Sequence, residues 1–139
     1  MISRARFVRP AAILAFFGCF IYGLFILFGP MRFDSDRWKS SRAGMFTGVR
    51  NRMAPDAVAR ILRPGQVSGE VLELLGKPDT IKVAVDPREA RQYFNDANSG
   101  DSLWGYWLKH GYLPGVGMSM LYVLVAHDDT LKASTIVEW

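Results

Sequence analysis

The sequence predicts an α+β domain carried behind an N-terminal transmembrane helix, with two short helices packed on a three- to four-stranded antiparallel sheet. Three observations support this. Residues 11–29 form one apolar run with no charged side chain. Apolar residues then recur at helical spacing up to Pro78, where the period changes to two. From there to the end, strand-like segments follow one another with only turn-rich stretches between them.

The run AAILAFFGCFIYGLFILFG opens at Ala11 and closes at Gly29. At ~1.5 Å of rise per residue it matches a hydrocarbon layer of ~30 Å. Arg4, Arg6 and Arg9 precede it, and the first acid is Asp34. A cleavable signal has a core of ~7–15 residues ending at a small-residue site, whereas this run exits through Leu27, Phe28, Gly29 and Pro30. A lipid-acceptor Cys would follow small residues at the end of a signal, but Cys19 sits mid-run after Phe16, Phe17 and Gly18. A retained signal anchor in the bacterial inner membrane is therefore expected, touching lipid from Ala11 to Gly29. Basic residues flank both ends, so the positive-inside rule nearly balances. The short N-terminal segment favours a periplasmic body.

Charge divides unevenly along the chain. Residues 1–29 carry +3, residues 30–52 carry +4, and residues 53–139 carry −3. The high isoelectric point thus belongs to the anchor and the basic juxtamembrane linker expected at 30–52, not to the body expected at 53–139. A nucleic-acid-binding body would need a basic face. With Cys19 the single cysteine, no disulfide can staple the body, which must rely on a hydrophobic core.

Met53, Ala57, Ile61 and Leu62 predict the first helix of the body, with Pro55 and Asp56 in its first turn and Pro64 and Gly65 as its stop. Ser68 is the expected N-cap of a second helix. Val71, Leu72, Leu74 and Leu75 form its apolar face, Gly76 sits just past its end, and Pro78 follows. Ile81, Val83 and Val85 alternate as a strand ending at Asp86 and Pro87. Residues 88–94 fit either a helical turn or a return strand. Residues 95–101 form a loop in which Asp96 and Asp101 read as solvated charges. Residues 103–108 form an aromatic strand, 111–117 a glycine-rich loop, and 120–126 a central strand covered on both faces. A turn at Asp128 and Asp129 leads into a last strand at 131–139.

The stretch MAPDAVARILRPGQVSGEVLELLGKPDT resembles the start of the SmpA/OmlA domain, the BamE-like fold. The positions that carry the resemblance are Gly65, Ser68, Val71, Leu74, Leu75, Gly76 and Pro78, with Tyr106, Leu121, Tyr122, Val123 and the Asp128-Asp129 turn downstream. Members of that family are envelope lipoproteins. The resemblance implies a BamE-like fold over roughly residues 52–139 and a non-enzymatic role in binding an envelope protein, with outer-membrane or envelope assembly as its setting.

The residues themselves assemble no catalytic, cofactor or metal motif. His110 and His127 fall in separate predicted loops without ligand spacing. Beside His127, Asp128 and Asp129 fit a polar turn whose side chains bond its own backbone. Loop 111–117 lacks the Lys-Ser/Thr ending of a phosphate loop. Besides the interaction module, two further classes stand: an inhibitor-like binder of an envelope enzyme, and a small hydrolase using His127 and Asp128. Trp104, Trp107 and Tyr112 are the expected partner contacts, since aromatic anchors dominate interface energetics. Trp104 and Trp107 should lie on opposite faces of their strand.

Overall fold

The computed structural model describes residues 5–41, 48–83, 85–109 and 117–139, with side chains omitted for 5–12 and 28. Helix α1 spans Ala5–Phe28, α2 Ser35–Ser40 and α3 Val49–Asp56, which runs on into a π-helical turn at Ala57–Ile61. Helix α4 spans Ser68–Leu75 and α5 Pro87–Ala90. Strands β1 (Thr80–Lys82), β2 (Ser102–Lys109), β3 (Ser119–Val125) and β4 (Leu131–Glu138) form one antiparallel sheet in sequence order. This is the α+β class with a four-stranded antiparallel sheet.

Among the described residues no helix is long and apolar enough to cross a membrane. Helix α1 has 24 residues, and its side chains are described from 13 to 27. Nearly all of these side chains are exposed, including Leu14, Phe16, Ile21 and Phe25. At the carbonyl end of α1, Arg52 Nε donates to Gly29 O at 2.7 Å and Nη2 donates to Ile26 O at 2.6 Å. The Met31 N–H donates back to Arg52 O at 2.8 Å. A guanidinium on the last carbonyls satisfies orphan acceptors and complements the helix dipole.

The stretch expected as a solvated basic linker departs from that expectation, because it delivers Trp38 to the core with no exposed surface. Asp34 caps α2 by accepting from Arg37 N–H at 2.8 Å, which fixes the turn that points Trp38 inward. Met31 and Phe33 pack on the same cluster. Arg50 lies across Trp38, 5.5 Å from the ring centroid. It donates to Trp38 O and to Asp79 Oδ2, both at 3.2 Å. A tryptophan hidden among arginines and serines carries no periodic signal, so only the fold reveals its role.

The first body helix begins earlier than expected, and Pro55 lies inside it rather than in its first turn. An interior proline cannot donate to the ladder and crowds the carbonyl four residues back. The chain beyond it winds wide, with Leu62 N–H bonding Ala57 O at 2.8 Å. Ser68 does not cap α4; Val67 holds that position. The Ser68 hydroxyl instead donates to the Asp129 carboxylate, and Ser68 N–H donates to Asp129 O at 2.8 Å. Gly65 N–H donates to Leu131 O and Leu131 N–H donates to Gln66 O, so the start of α4 is sewn to the β3–β4 turn.

The sheet is covered on both faces. Trp104, Tyr106 and Leu108 on β2, with Leu121, Val123 and Val125 on β3, point to the helices α2, α3 and α4. Leu103 and Leu124 point the other way, under Val85, Ala90, Phe94 and Ala97. The ambiguous stretch at 88–94 is therefore a helical turn that lids the second face. The expected strand through Ile81, Val83 and Val85 is reduced to three exposed residues. Ile81 and Val83 are 50% and 75% exposed, while Val85 turns into the second cluster. Its partner β2 runs against β1 only from Leu103 to Gly105. At Gly105 a side chain would collide with Thr80 Oγ1 and Met120 Sδ.

Val71 and Leu75 are fully buried, Leu74 is half-buried and Leu72 faces solvent. Gly76 takes φ 74° and ψ −171°, a region essentially restricted to glycine, and it terminates α4. The Tyr106 hydroxyl donates to Gly76 O at 3.1 Å, and burial pushes its pKa up.

Three substitutions test this packing, each read by thermal and urea unfolding of the full chain in detergent. Trp38→Ala should cost about 3–5 kcal/mol and Leu75→Ala about 2–5 kcal/mol. Gly76→Val should also lower the melting temperature, because its backbone has no strain-free alternative. Melting temperatures equal to the parent's would disprove the packing described here.

Candidate interaction surface

Strand alternation sends Trp104 and Trp107 to opposite faces, and their fates differ. Trp104 is 8% exposed and belongs to the main core cluster, so it offers no surface for a partner. Trp107 is half-buried on the second face, and its N–H donates to Asp79 Oδ2 at 2.8 Å. The same carboxylate oxygen takes Arg50, so Asp79 joins α3 to β2. Tyr112 and His110 lie outside the described residues.

The second face carries an aromatic row that the sequence reading missed. Tyr93 stacks on Tyr122 with centroids 5.0 Å apart, and Tyr122 meets Trp139 edge-on at 6.2 Å. Tyr122 stands opposite Gly105 on β2 and Thr135 on β4. The space above that glycine is taken by Thr80 Oγ1 and the Met120 side chain. Trp139 is half exposed and is held by a backbone pair with Met118. The available signal was parity: Met120, Tyr122 and Leu124 share one face of β3, but nothing local brings Tyr93 or Trp139 to that face.

Beside this row lies a groove of about 380 Å³ lined by Tyr93, Phe94, Asn95, Asp96, Leu124, Lys132 and Ala133. Lys132 Nζ closes one end by donating to Asp96 O at 2.8 Å and to Asp101 Oδ2 at 2.9 Å. Asp101, expected as a solvated charge, is 2% exposed and also accepts from Asn98 N–H at 2.8 Å. A carboxylate can be this deeply buried only because it has a cation and a backbone donor. Asp96 is exposed, as expected.

The turn at His127, Asp128 and Asp129 is structural. Asp128 Oδ1 accepts from Thr130 Oγ1 at 2.7 Å and from Thr130 N–H at 3.2 Å. Asp129 adopts φ 68°, the left-handed region, and spends its carboxylate on Ser68. His127 is exposed. Both carboxylates are thus committed to holding the turn and α4. Among the described residues no group of three or more His, Cys, Asp or Glu could hold a metal ion. The seven positions of the helix motif serve packing and chain reversal: Gly65 at φ 89°, Ser68 on Asp129, Val71, Leu74 and Leu75 toward the core, Gly76 at the helix end, and Pro78 buried.

The geometry defines a small α+β domain whose sheet carries a partly covered aromatic face. No family model and no curated protein matches the chain. Among solved structures it is similar to one described as a putative osmotically inducible lipoprotein OsmE. Identity is 18%, the match covers 58% of this chain and 74% of that one, and the TM-score is 0.38. A likeness that shallow transfers no activity or partner.

The hydrogen bonds from Thr130 hold the Asp128 carboxyl below its ordinary pKa of 3.8, the hydroxyl contributing most. A group lowered in this way stabilises the fold fully above its unfolded pKa. That contribution is lost as pH falls through the folded value. The melting temperature should therefore decline below about pH 4, and Asp128→Asn should blunt the decline. An identical acid profile in the variant would count against the turn as described.

Proposed function

We propose that this chain is a membrane-tethered, non-enzymatic protein-interaction module of the bacterial cell envelope, with its body on the periplasmic side of the inner membrane. The observation that carries the reading is the aromatic row Tyr93, Tyr122 and Trp139 on a sheet face that the chain itself covers only in part. Partly exposed aromatics clustered beside a groove are what protein partners use as anchors. The uncharged run from Ala11 to Gly29 and the exposed apolar side chains of α1 support a lipid-contacting anchor. Arg52 joins that helix directly to the body. A setting in outer-membrane or envelope assembly follows from the SmpA/OmlA resemblance.

The test is co-purification from native membranes at natural abundance, with complementation in parallel. Tyr122→Ala or Trp139→Ala should cut partner recovery about tenfold, equivalent to ~1.4 kcal/mol, while His110→Ala and His127→Ala leave it unchanged. Loss of function from the histidine variants alone, with folding and membrane location preserved, would replace the binding reading with an enzymatic one. A second expectation concerns the anchor. Intact mass should show residues 1–29 retained, and the chain should resist alkaline carbonate extraction. A species cut near residue 30, or acylated on Cys19, would refute it.

A further inference from the structure

The two edges of the sheet are built differently. Strand β1 is three residues long and ends in Lys82, a blunted edge. Strand β4 is eight residues long, and from Ala133 to Val137 it carries no charge, no proline and no register shift. Among the described residues β3 is its only strand partner, and at its first residue, Leu131, the backbone groups are already taken by Gly65 and Gln66. Met118 and Trp139 exchange both backbone hydrogen bonds, at 3.1 and 2.9 Å. In an antiparallel ladder every second pair does so. With Val137 opposite Met120, Thr135 opposite Tyr122 and Ala133 opposite Leu124, those three β4 residues turn their backbone groups toward β3. Ser134, Ile136 and Glu138 therefore turn theirs outward.

The groove of about 380 Å³ lies at the head of this edge, where Ala133 is the smallest residue of its wall. Tyr93, Phe94 and Leu124 are among its lining. Its cation, Lys132, is already neutralised by Asp101 at 2.9 Å. The exposed Asp96 also lines it, while Tyr93, Phe94, Leu124 and Ala133 give it an apolar wall that matches an apolar group, as the edge matches an uncharged strand.

Resting on the interaction-module reading, we propose that β4 accepts an extended, uncharged segment of the partner protein as a fifth strand, with one bulky apolar side chain lodged over Ala133 in the groove. Backbone bonds to Ser134 and Ile136 supply affinity, and the groove supplies selectivity, the division of labour seen in strand addition.

The test uses the full chain in lipid nanodiscs and a labelled, end-blocked heptapeptide of threonine alternating with valine around a central phenylalanine, read by fluorescence anisotropy. Ser134→Pro removes an outward donor and leaves the β3 ladder intact. Ala133→Phe fills the groove. Each should weaken binding at least tenfold with the melting temperature preserved, and a peptide with glycine in place of phenylalanine should bind at least tenfold more weakly. Absence of saturable binding, or variants that bind like the parent, would overturn the proposal. So would a parent chain that is already a dimer and becomes monomeric in Ser134→Pro, because a second copy would then occupy the edge. If Ser134→Pro leaves the co-purified partner unchanged, this edge assignment falls while the module reading stands.

Discussion

The burial of Trp38 under Arg50 is the constraint from which the rest of the body is arranged. The ring fills the space between α2, α3 and the sheet, touching Phe33 on one side and Tyr106 on the other. Arg50 lies across it and binds its carbonyl, and the same guanidinium reaches Asp79. Asp79 also receives Trp107 N–H and donates its own N–H to Gly105 O at 2.9 Å. One charge pair at 3.2 Å thus connects the α2 segment, α3 and the aromatic strand β2. Arg50 is 9% exposed while Asp79 reaches solvent, so removing Asp79 would strand a buried guanidinium.

That constraint continues outward in both directions along the chain. Toward the N-terminus, Arg52 follows Arg50 on the same helix and seizes the last carbonyls of α1. Asp56, one turn further, accepts Phe33 N–H at 2.7 Å and pairs with Arg60, which draws its carboxyl pKa down. A basic cluster that reads as a solvated tether is thereby divided into residues that fasten α1, residues that seat Trp38, and residues left at the surface. Toward the C-terminus, the carbonyl of Gly76 takes the Tyr106 hydroxyl, and Ser35 Oγ donates to Leu74 O at 2.7 Å. Helix α4 is therefore gripped at its end by α2 and at its start by the β3–β4 turn.

With the helices locked to one face, the sheet's other face is left to a single short helix and its flanking loops. Those cover Leu103 and Leu124 but only border Tyr122, so the aromatic row and the groove remain partly open. The Asp101–Lys132 pair keeps the covering loop on β4. The proposed interaction face is what the packing arrangement leaves over, and its edge strand β4 lies alongside.

The α+β class, the helix with Val71 and Leu75 inward, the break at Gly76, the antiparallel order and the two-sided burial of β3 were legible locally. Each depends on residue spacing or on a glycine conformation, and such signals act over a few residues. Trp38, Arg50, Asp101, Tyr93 and Trp139 were not legible, because their roles depend on partners tens of residues away: Asp79 for Arg50, Lys132 for Asp101, Tyr122 for both aromatics. Ser68 shows the difference within one residue. The sequence marked it as the start of a helix, which it is, but the tertiary structure gave its hydroxyl to Asp129 and left the cap to the backbone. Periodicity and turn chemistry decide which element forms. Only the closed fold decides which buried polar group meets which, since desolvation favours pairing wherever the topology places a partner, and at Trp38 Nε1 it places none among the described residues.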